Sequence, residues 1–215
     1  MIINTIIAIV IGYLLGSIPT AYIVARLTTS KDIRQMGGGN VGGLNVFREI
    51  GFWAILPVAI VDLGKGAAAV AIAYWLLDLP PLFVLLAGLA AVIGHNWMVW
   101  LKFSGGKGMG ATIGALAMAM PLYGYWQGIL IFLGIFVVIA IITRNVALAS
   151  STALVFLPLI TWLGTQSLTA TIVAIALGVV ILIKFLPTAR AALAKAKTTE
   201  EFIFDRWQRD KKERR

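Results

Sequence analysis

Met109-Gly110-Ala111-Thr112-Ile113-Gly114-Ala115-Leu116-Ala117-Met118-Ala119-Met120-Pro121-Leu122-Tyr123 is the stretch on which the fold turns. It is apolar throughout, yet at about fifteen residues it falls short of the roughly 20 that a helix needs to cross a bilayer. Either it crosses, or it enters and leaves by the same face. The charges around it decide.

Six longer apolar runs accompany it, at residues 2–25, 52–77, 82–101, 126–143, 146–164 and 168–187. Arg26, Lys31, Arg34 and Arg48 lie between the first two, Lys102 and Lys107 lie just before 109–123, Arg144 separates 126–143 from 146–164, and nine more Lys/Arg follow Lys184. The connections around Asp78, Tyr123 and Thr165 carry none. Basic connections stay on the cytoplasmic side of a membrane, and this alternation holds only if 109–123 crosses. Were it re-entrant, the basic tail would lie opposite the Lys107 loop. The sequence therefore predicts an all-α integral membrane protein of seven transmembrane helices, N-terminus outside and C-terminus cytoplasmic.

Composition agrees. A chain of 215 residues that is 60% hydrophobic and 13% charged, with a mean hydropathy of +0.94, has too little polar surface to cover a soluble core. It has no cysteine, which removes disulfides and thiolate nucleophiles, and a single histidine, His95, which leaves a zinc site without ordinary ligands. The first run lacks a basic leading segment and continues through Gly12, Gly16-Ser17 and Pro19, so it reads as a retained helix and not a cleaved signal. Trp53, Trp75, Trp97, Trp100, Trp126 and Trp162 fall near run ends, as interfacial anchors do. Gly12 and Gly16, Gly64 and Gly66, and Gly110 and Gly114 supply small-residue faces for close helix packing.

No linker or internal repeat divides the chain, so residues 1–187 read as one membrane domain and 188–215 as a basic cytoplasmic tail. The tail carries nine Lys/Arg and five Asp/Glu, interrupted by Phe202, Phe204 and Trp207. That pattern suits a short helix lying on anionic lipid, with a plain solvated tail as the alternative. It is too short and too mixed in sign for nucleic-acid binding.

Two cation-bearing glycine-rich stretches interrupt the apolar runs: Gly37-Gly38-Gly39-Asn40-Val41-Gly42-Gly43-Leu44-Asn45-Val46-Phe47-Arg48 and Gly105-Gly106-Lys107-Gly108. Glycines let backbone N–H groups converge on an anion, and Arg or Lys beside them supplies the charge. Gly37-x-Gly39-x-x-Gly42 formally matches a dinucleotide fingerprint, but no strand precedes it and an apolar run follows. The second stretch lacks the Ser or Thr that follows the lysine of a P-loop. What remains is a generic phosphate site of Gly37, Gly38, Gly39, Asn40, Gly42, Asn45, Gly105, Gly106 and Gly108 with Arg48 and Lys107; Asn40 and Asn45 bond either ligand oxygens or the loop's own backbone. Asp62 and Lys65, three apart, form an intrahelical ion pair. His95 lies at the end of the third run beside the second loop, and Ser150 within two turns of Arg144; each is either a ligand contact or a structural group.

Leu15-Gly16-Ser17-Ile18-Pro19-Thr20-Ala21-Tyr22, Asp32-Ile33-Arg34, Gly37-x-Gly39-Asn40-Val41-Gly42-x-x-Asn45-Val46-x-Arg48, Asp62-x-x-Lys65-Gly66, Gly94-His95-Asn96 and Leu101-Lys102-Phe103-x-Gly105-Gly106-Lys107-Gly108-x-x-x-Thr112 follow one another over roughly the first 150 residues. In this order they resemble the bacterial membrane acyl-phosphate:glycerol-3-phosphate acyltransferases, the PlsY family. The resemblance implies a multi-pass enzyme of the bacterial inner membrane, its active site facing the cytoplasm. It would move a fatty acyl group from acyl phosphate to the 1-hydroxyl of glycerol 3-phosphate, giving lysophosphatidic acid and phosphate, the first step of phospholipid synthesis. It implies no metal and no cofactor; the partners are the two substrates and membrane lipid, and a monomer suffices.

The chain departs from the family pattern in two motifs. Gly38, Gly43 and Leu44 replace a serine, an alanine and a threonine of the first motif, while Ser150 falls in the stretch that carries a family serine. After the last run the family has His-x-Glu-Asn, where this chain has Phe185-Leu186-Pro187-Thr188-Ala189-Arg190. Thr188, Lys184 or Arg190 then completes the site, or the chain is a divergent paralogue that binds a phosphorylated lipid. Acyl phosphate is already activated, so no covalent acyl-enzyme is required. Lys107 with the 105–108 amides would hold one phosphate, Arg48 with the first loop the other, and the proton would pass to the leaving phosphate or to His95. A small-anion transporter is the rival reading; it expects repeat symmetry and midplane charges, of which only Asp62 and Lys65 are present.

Overall fold

The computed structural model describes residues 1–195 and Ile203. Among the described residues the regular structure is helical throughout: α1 (Ile2–Gly16), α2 (Thr20–Thr29), α3 (Gly43–Glu49), α4 (Phe52–Ala71), α5 (Pro81–Asn96), α6 (Met109–Leu122), α7 (Gln127–Thr143), α8 (Val146–Thr165) and α9 (Leu168–Lys195). A π-helical turn, Ile72–Leu76, extends α4, and 3-10 turns cover Ile33–Gln35 and Val99–Leu101. The interfacial reading of Phe202, Phe204 and Trp207 lies outside the described residues.

Five stretches are long and apolar enough to cross a membrane: Ile2–Thr29, Phe52–Leu76, Pro81–Leu101, Val146–Thr165 and Leu168–Ala191. Met109–Leu122 and Gln127–Thr143 are shorter apolar helices. The small residues of α6 have a reason in its surroundings. It packs against α4, α5 and α7, and Ala111, Thr112, Gly114, Ala115, Ala119 and Met120 are buried. A helix enclosed by other helices meets protein instead of lipid, so small residues serve it better than bulky apolar ones.

Small residues set these contacts. A methyl group added at Gly66 would strike the backbone of Ala111, and one added at Gly114 would strike the backbone of Leu63, so α4 and α6 touch main chain to main chain. Gly12 and Gly16 bring α1 onto Ala87 and Ala91 of α5 in the same way. Gly64 does not take part, because nothing lies within 4 Å of the position its Cβ would take. It points away from the bundle.

The first run is not one helix, contrary to the expectation from its hydropathy. It stops at Gly16 and restarts at Thr20. Pro19 has no N–H to donate, and its ring obstructs the preceding turn, so a helix breaks here. At the break the Ile18 carbonyl accepts from Thr20 N–H at 3.0 Å and from Lys65 Nζ at 3.4 Å. The last helix differs in the other direction: α9 continues beyond residue 187 to Lys195, with Pro187 inside it. A helix also forms at 43–49, where the sequence suggested loop.

Gly114→Val should destabilise the protein by about 1–3 kcal/mol, the usual penalty for overpacking, whereas Gly64→Ala should change it by no more than about 0.5 kcal/mol. Thermal unfolding of both variants in one detergent checks the contrast.

Candidate active site

The first glycine-rich stretch is folded by its own side chains. Asp32 accepts from the Arg34 backbone N–H at 2.9 Å and pairs with the Arg34 guanidinium at 2.7 Å. The hydrogen-bonded guanidinium holds the Asp32 carboxyl below the usual carboxylate range. Arg26 and Arg34 both lie over the Tyr22 ring, at 5.4 and 5.5 Å from its centroid. Asn45 then gathers the turn. Its amide nitrogen donates to the carbonyls of Ile33, Met36 and Asn40 at 3.3, 3.0 and 3.0 Å, and its oxygen accepts from Gly38 N–H at 3.2 Å. Two N–H hydrogens serve three acceptors, so one bond is shared. Of the two roles open for Asn45 in the sequence, the loop's own backbone takes it. Arg48 follows one helical turn later on α3.

The second stretch lies on the end of α5. Lys102 and Phe103 both adopt left-handed backbone, at φ 55° and 60°, a conformation non-glycine residues rarely take. They turn the chain back so that Gly106 N–H donates to the His95 carbonyl at 2.9 Å. A Cβ at Gly106 would collide with His95 Nε2. Gly108, at φ 76°, starts α6 and lies close to the Asn96 side chain. The loop thus presents Lys107 between two glycines that allow no side chain.

Lys107 Nζ stands 4.6 Å from the centroid of the Phe185 ring. Burial, and then the charge of Arg48, push its ammonium below the ordinary lysine value of 10.5. Beneath the loop lies a buried polar cluster. Asp62 pairs with Lys65 at 2.8 Å, as the three-residue spacing predicts, and its same oxygen lies 3.6 Å from His95 Nδ1. Burying the pair together offsets much of the cost of burying either charge alone.

Two cavities open at this end of the bundle. The larger, about 680 Å³, is walled by the turn of Gly37, Gly38, Gly39 and Asn40, by Asn45, Arg48 and Glu49, by Trp97, Ser104, Gly105 and Lys107, and by Lys184, Pro187 and Thr188 of α9. The smaller, about 130 Å³, is walled by Asn40, Gly42, Asp62, His95, Lys107, Gly108 and Ser150 together with Leu44, Met109, Val146 and Phe185. Asn40, Leu44 and Lys107 border both. Two loops more than fifty residues apart in the sequence therefore meet at a common pair of cavities.

Of the residues singled out in the sequence, Gly106 borders neither cavity, because it is spent on packing against His95. His95 is 3% exposed and Ser150 1%; Ser150 Oγ donates to the Val146 carbonyl at 2.7 Å, a back-bond within its own helix. Trp97, read as an interfacial anchor, instead lines the larger cavity, and Lys184 Nζ lies 5.3 Å from its ring centroid. Its pairing with α9 leaves no local trace in the sequence. Glu49 and Ser104 were also missed, although each adjoins a residue that was singled out.

A multi-pass helical bundle with a cationic, glycine-walled cavity at one end defines a membrane protein built around an anionic ligand. Residues 6–195 match the model of the Glycerol-3-phosphate acyltransferase family, and the chain belongs to that family. It is 49% identical over 206 residues to glycerol-3-phosphate acyltransferase 1 of Dehalococcoides mccartyi, covering 95% of this chain and 99% of the relative. It is 42% identical over 151 residues to glycerol-3-phosphate acyltransferase 2 of Moorella thermoacetica, covering 70% and 74%. Among solved structures it resembles PlsY (YgiH), an integral membrane glycerol 3-phosphate acyltransferase, in its glycerol 3-phosphate form, with a TM-score of 0.80 at 28% identity over 88% of this chain and 92% of that one. The lysophosphatidic acid form of PlsY gives 0.78 at 27% identity, over 94% and 99%.

Asn45→Asp removes every donor that Asn45 gives to the turn and places a charge among carbonyls. It should lower the unfolding temperature and reduce acyltransferase activity at least about tenfold: the Ile33 and Met36 carbonyls keep their backbone partners, but the Asn40 carbonyl loses its donor, and a buried acceptor left unpaired costs about 1–3 kcal/mol. Activity and thermal unfolding measured on the same preparation check it.

Proposed function

We propose that this chain transfers a fatty acyl group from acyl phosphate to the 1-hydroxyl of glycerol 3-phosphate, releasing lysophosphatidic acid and phosphate. The convergence of Arg48 and Lys107, each on its own glycine-rich stretch, at two adjoining cavities carries this reading. Its relatives, named glycerol-3-phosphate acyltransferases, support it.

The hydroxyl oxygen attacks the acyl carbonyl carbon, the bond from that carbon to the phosphate oxygen breaks, and the ester bond forms. Arg48 and Lys107 hold the phosphates and offset the charge that develops on the carbonyl oxygen and the leaving phosphate. The departing phosphate accepts the hydroxyl proton. His95 fits this assignment as a wall and support of the loop, with one ring nitrogen facing Asp62 and the other Gly106. The amides and backbone of Gly37, Gly38, Gly39, Asn40, Gly42, Gly105 and Gly108 shape the phosphate sites; Ser150 borders the acyl phosphate end.

The same reading includes seven crossings, with the N-terminus outside and both cavities on the cytoplasmic face of a bacterial inner membrane. It is supported by the helix directions at the cavities: α5 and α9 line them with their C-terminal halves, and α6 and α8 with their first turns. At 14 residues, α6 is about 21 Å long, less than the roughly 30 Å of bilayer hydrocarbon. Its start at a polar cavity removes the need to cover that full thickness in lipid. Residues 1–187 form the membrane unit and 188–215 the cytoplasmic tail, whose Ile203 carbonyl accepts from Asn145 Nδ2 at 3.2 Å, beside Arg144.

Purified protein given palmitoyl phosphate and glycerol 3-phosphate should release phosphate and lysophosphatidate one for one, and Lys107→Ala should cut kcat at least about 100-fold, as removal of a charge-stabilising donor does. Turnover unchanged in Lys107→Ala would overturn the site assignment. Because the chain has no cysteine, Ser104→Cys and Gly124→Cys report topology singly. An impermeant maleimide added outside intact cells should label Gly124→Cys and spare Ser104→Cys; labelling of both or neither contradicts the crossing of α6.

A further inference from the structure

Three cations, Arg48, Lys107 and Lys184, border the larger cavity, and Glu49 is the carboxylate among its lining residues. The first two belong to the glycine-rich stretches. Lys184 comes from α9, which carries no such motif. Among the described residues no carboxylate lies within ion-pair distance of its Nζ, which rests 5.3 Å from the centre of the Trp97 ring. An ammonium at a partly desolvated wall without a carboxylate beside it is unfavourable unless an anion joins it. A ring face can hold an ammonium in place without neutralising it, so Lys184 stays fully available to a ligand.

The two cavities differ in what they can admit. The smaller alone has Met109, Val146, Ala147 and Phe185 in its wall, an environment for the apolar end of an acyl phosphate. The larger has about five times the volume and gathers Arg48, Lys107, Lys184 and glycine backbone beside Leu44, Trp97, Ile183 and Pro187, and its three cations suit a small, water-borne phosphate monoester. Lys107 borders both cavities, whereas Lys184 borders the larger alone.

We propose that Lys184 binds the phosphate of glycerol 3-phosphate and so distinguishes the acceptor from the acyl donor. The proposal rests on the acyl-transfer reading above. It differs from a lysine that merely stretches along a helix end to reach the interface, because such a residue would affect stability and no single substrate.

Steady-state kinetics with palmitoyl phosphate and glycerol 3-phosphate test it. Lys184→Ala should raise KM for glycerol 3-phosphate at least about tenfold, the loss expected for one charge-assisted hydrogen bond, while KM for palmitoyl phosphate changes less than about twofold. Lys184→Arg should recover most of that loss. An unchanged KM for glycerol 3-phosphate, or equal rises in both KM values, overturns the proposal. If Lys184→Ala does not fold, Lys184→Met keeps the stem over Trp97 and removes the charge. Calorimetric titration of glycerol 3-phosphate into the wild type and Lys184→Met reads binding without turnover: a tenfold weaker affinity supports the assignment, and equal affinities overturn it. A wild type that binds glycerol 3-phosphate but transfers no acyl group sinks the reaction and leaves this titration to decide Lys184.

Discussion

The main-chain contact between α4 and α6 is the constraint on which the site depends. Gly66 against Ala111 and Gly114 against Leu63 leave no room for a side chain, so the two helices keep one register. That register sets Asp62 against Gly110, at the first turn of α6 and beside Lys107. It also fixes the start of α4, and α3 with Arg48 lies immediately before it. The separation of the two cationic loops is therefore set by a rigid helix pair and not by the loops. The buried pair of Asp62 and Lys65 sits on the same α4 turn, and the break after Gly16 brings the Ile18 carbonyl to Lys65.

Much of this was legible because it is local. The three-residue spacing of Asp62 and Lys65, the glycines facing neighbouring helices, and the two cation-bearing stretches follow from residue type and interval. The break at 17–19 was equally local, since Pro19 is plain in the sequence, but apolar averaging over 2–25 passed across it. Trp97 and Lys184 were obscured for a different reason. Each looks like an ordinary interfacial residue on its own helix, and only the packing of α9 against α5 brings the ring under the ammonium. Asn45 shows a third limit: an amide in a glycine-rich loop reads equally as a ligand group or a loop brace, and the positions of four backbone groups decide it.

Phe185 stands where the family resemblance leads one to expect a histidine. A second titratable group beside Lys107 would alter the charge available there. An aromatic ring holds the lysine through its face and takes no proton, and burial and the charge of Arg48 both act on the ammonium. The site thus has a ring face where the family pattern has a proton carrier.

Because Lys107 is the shared wall of both cavities, their occupancies are thermodynamically linked. An anion in one cavity draws on the same ammonium as an anion in the other, while each relieves the repulsion that Arg48 exerts on it. Whatever free energy the first ligand adds to or removes from the second, the second returns in equal measure. Order of binding then has no effect on the final balance, and a single lysine makes two chemically different ligands answerable to each other.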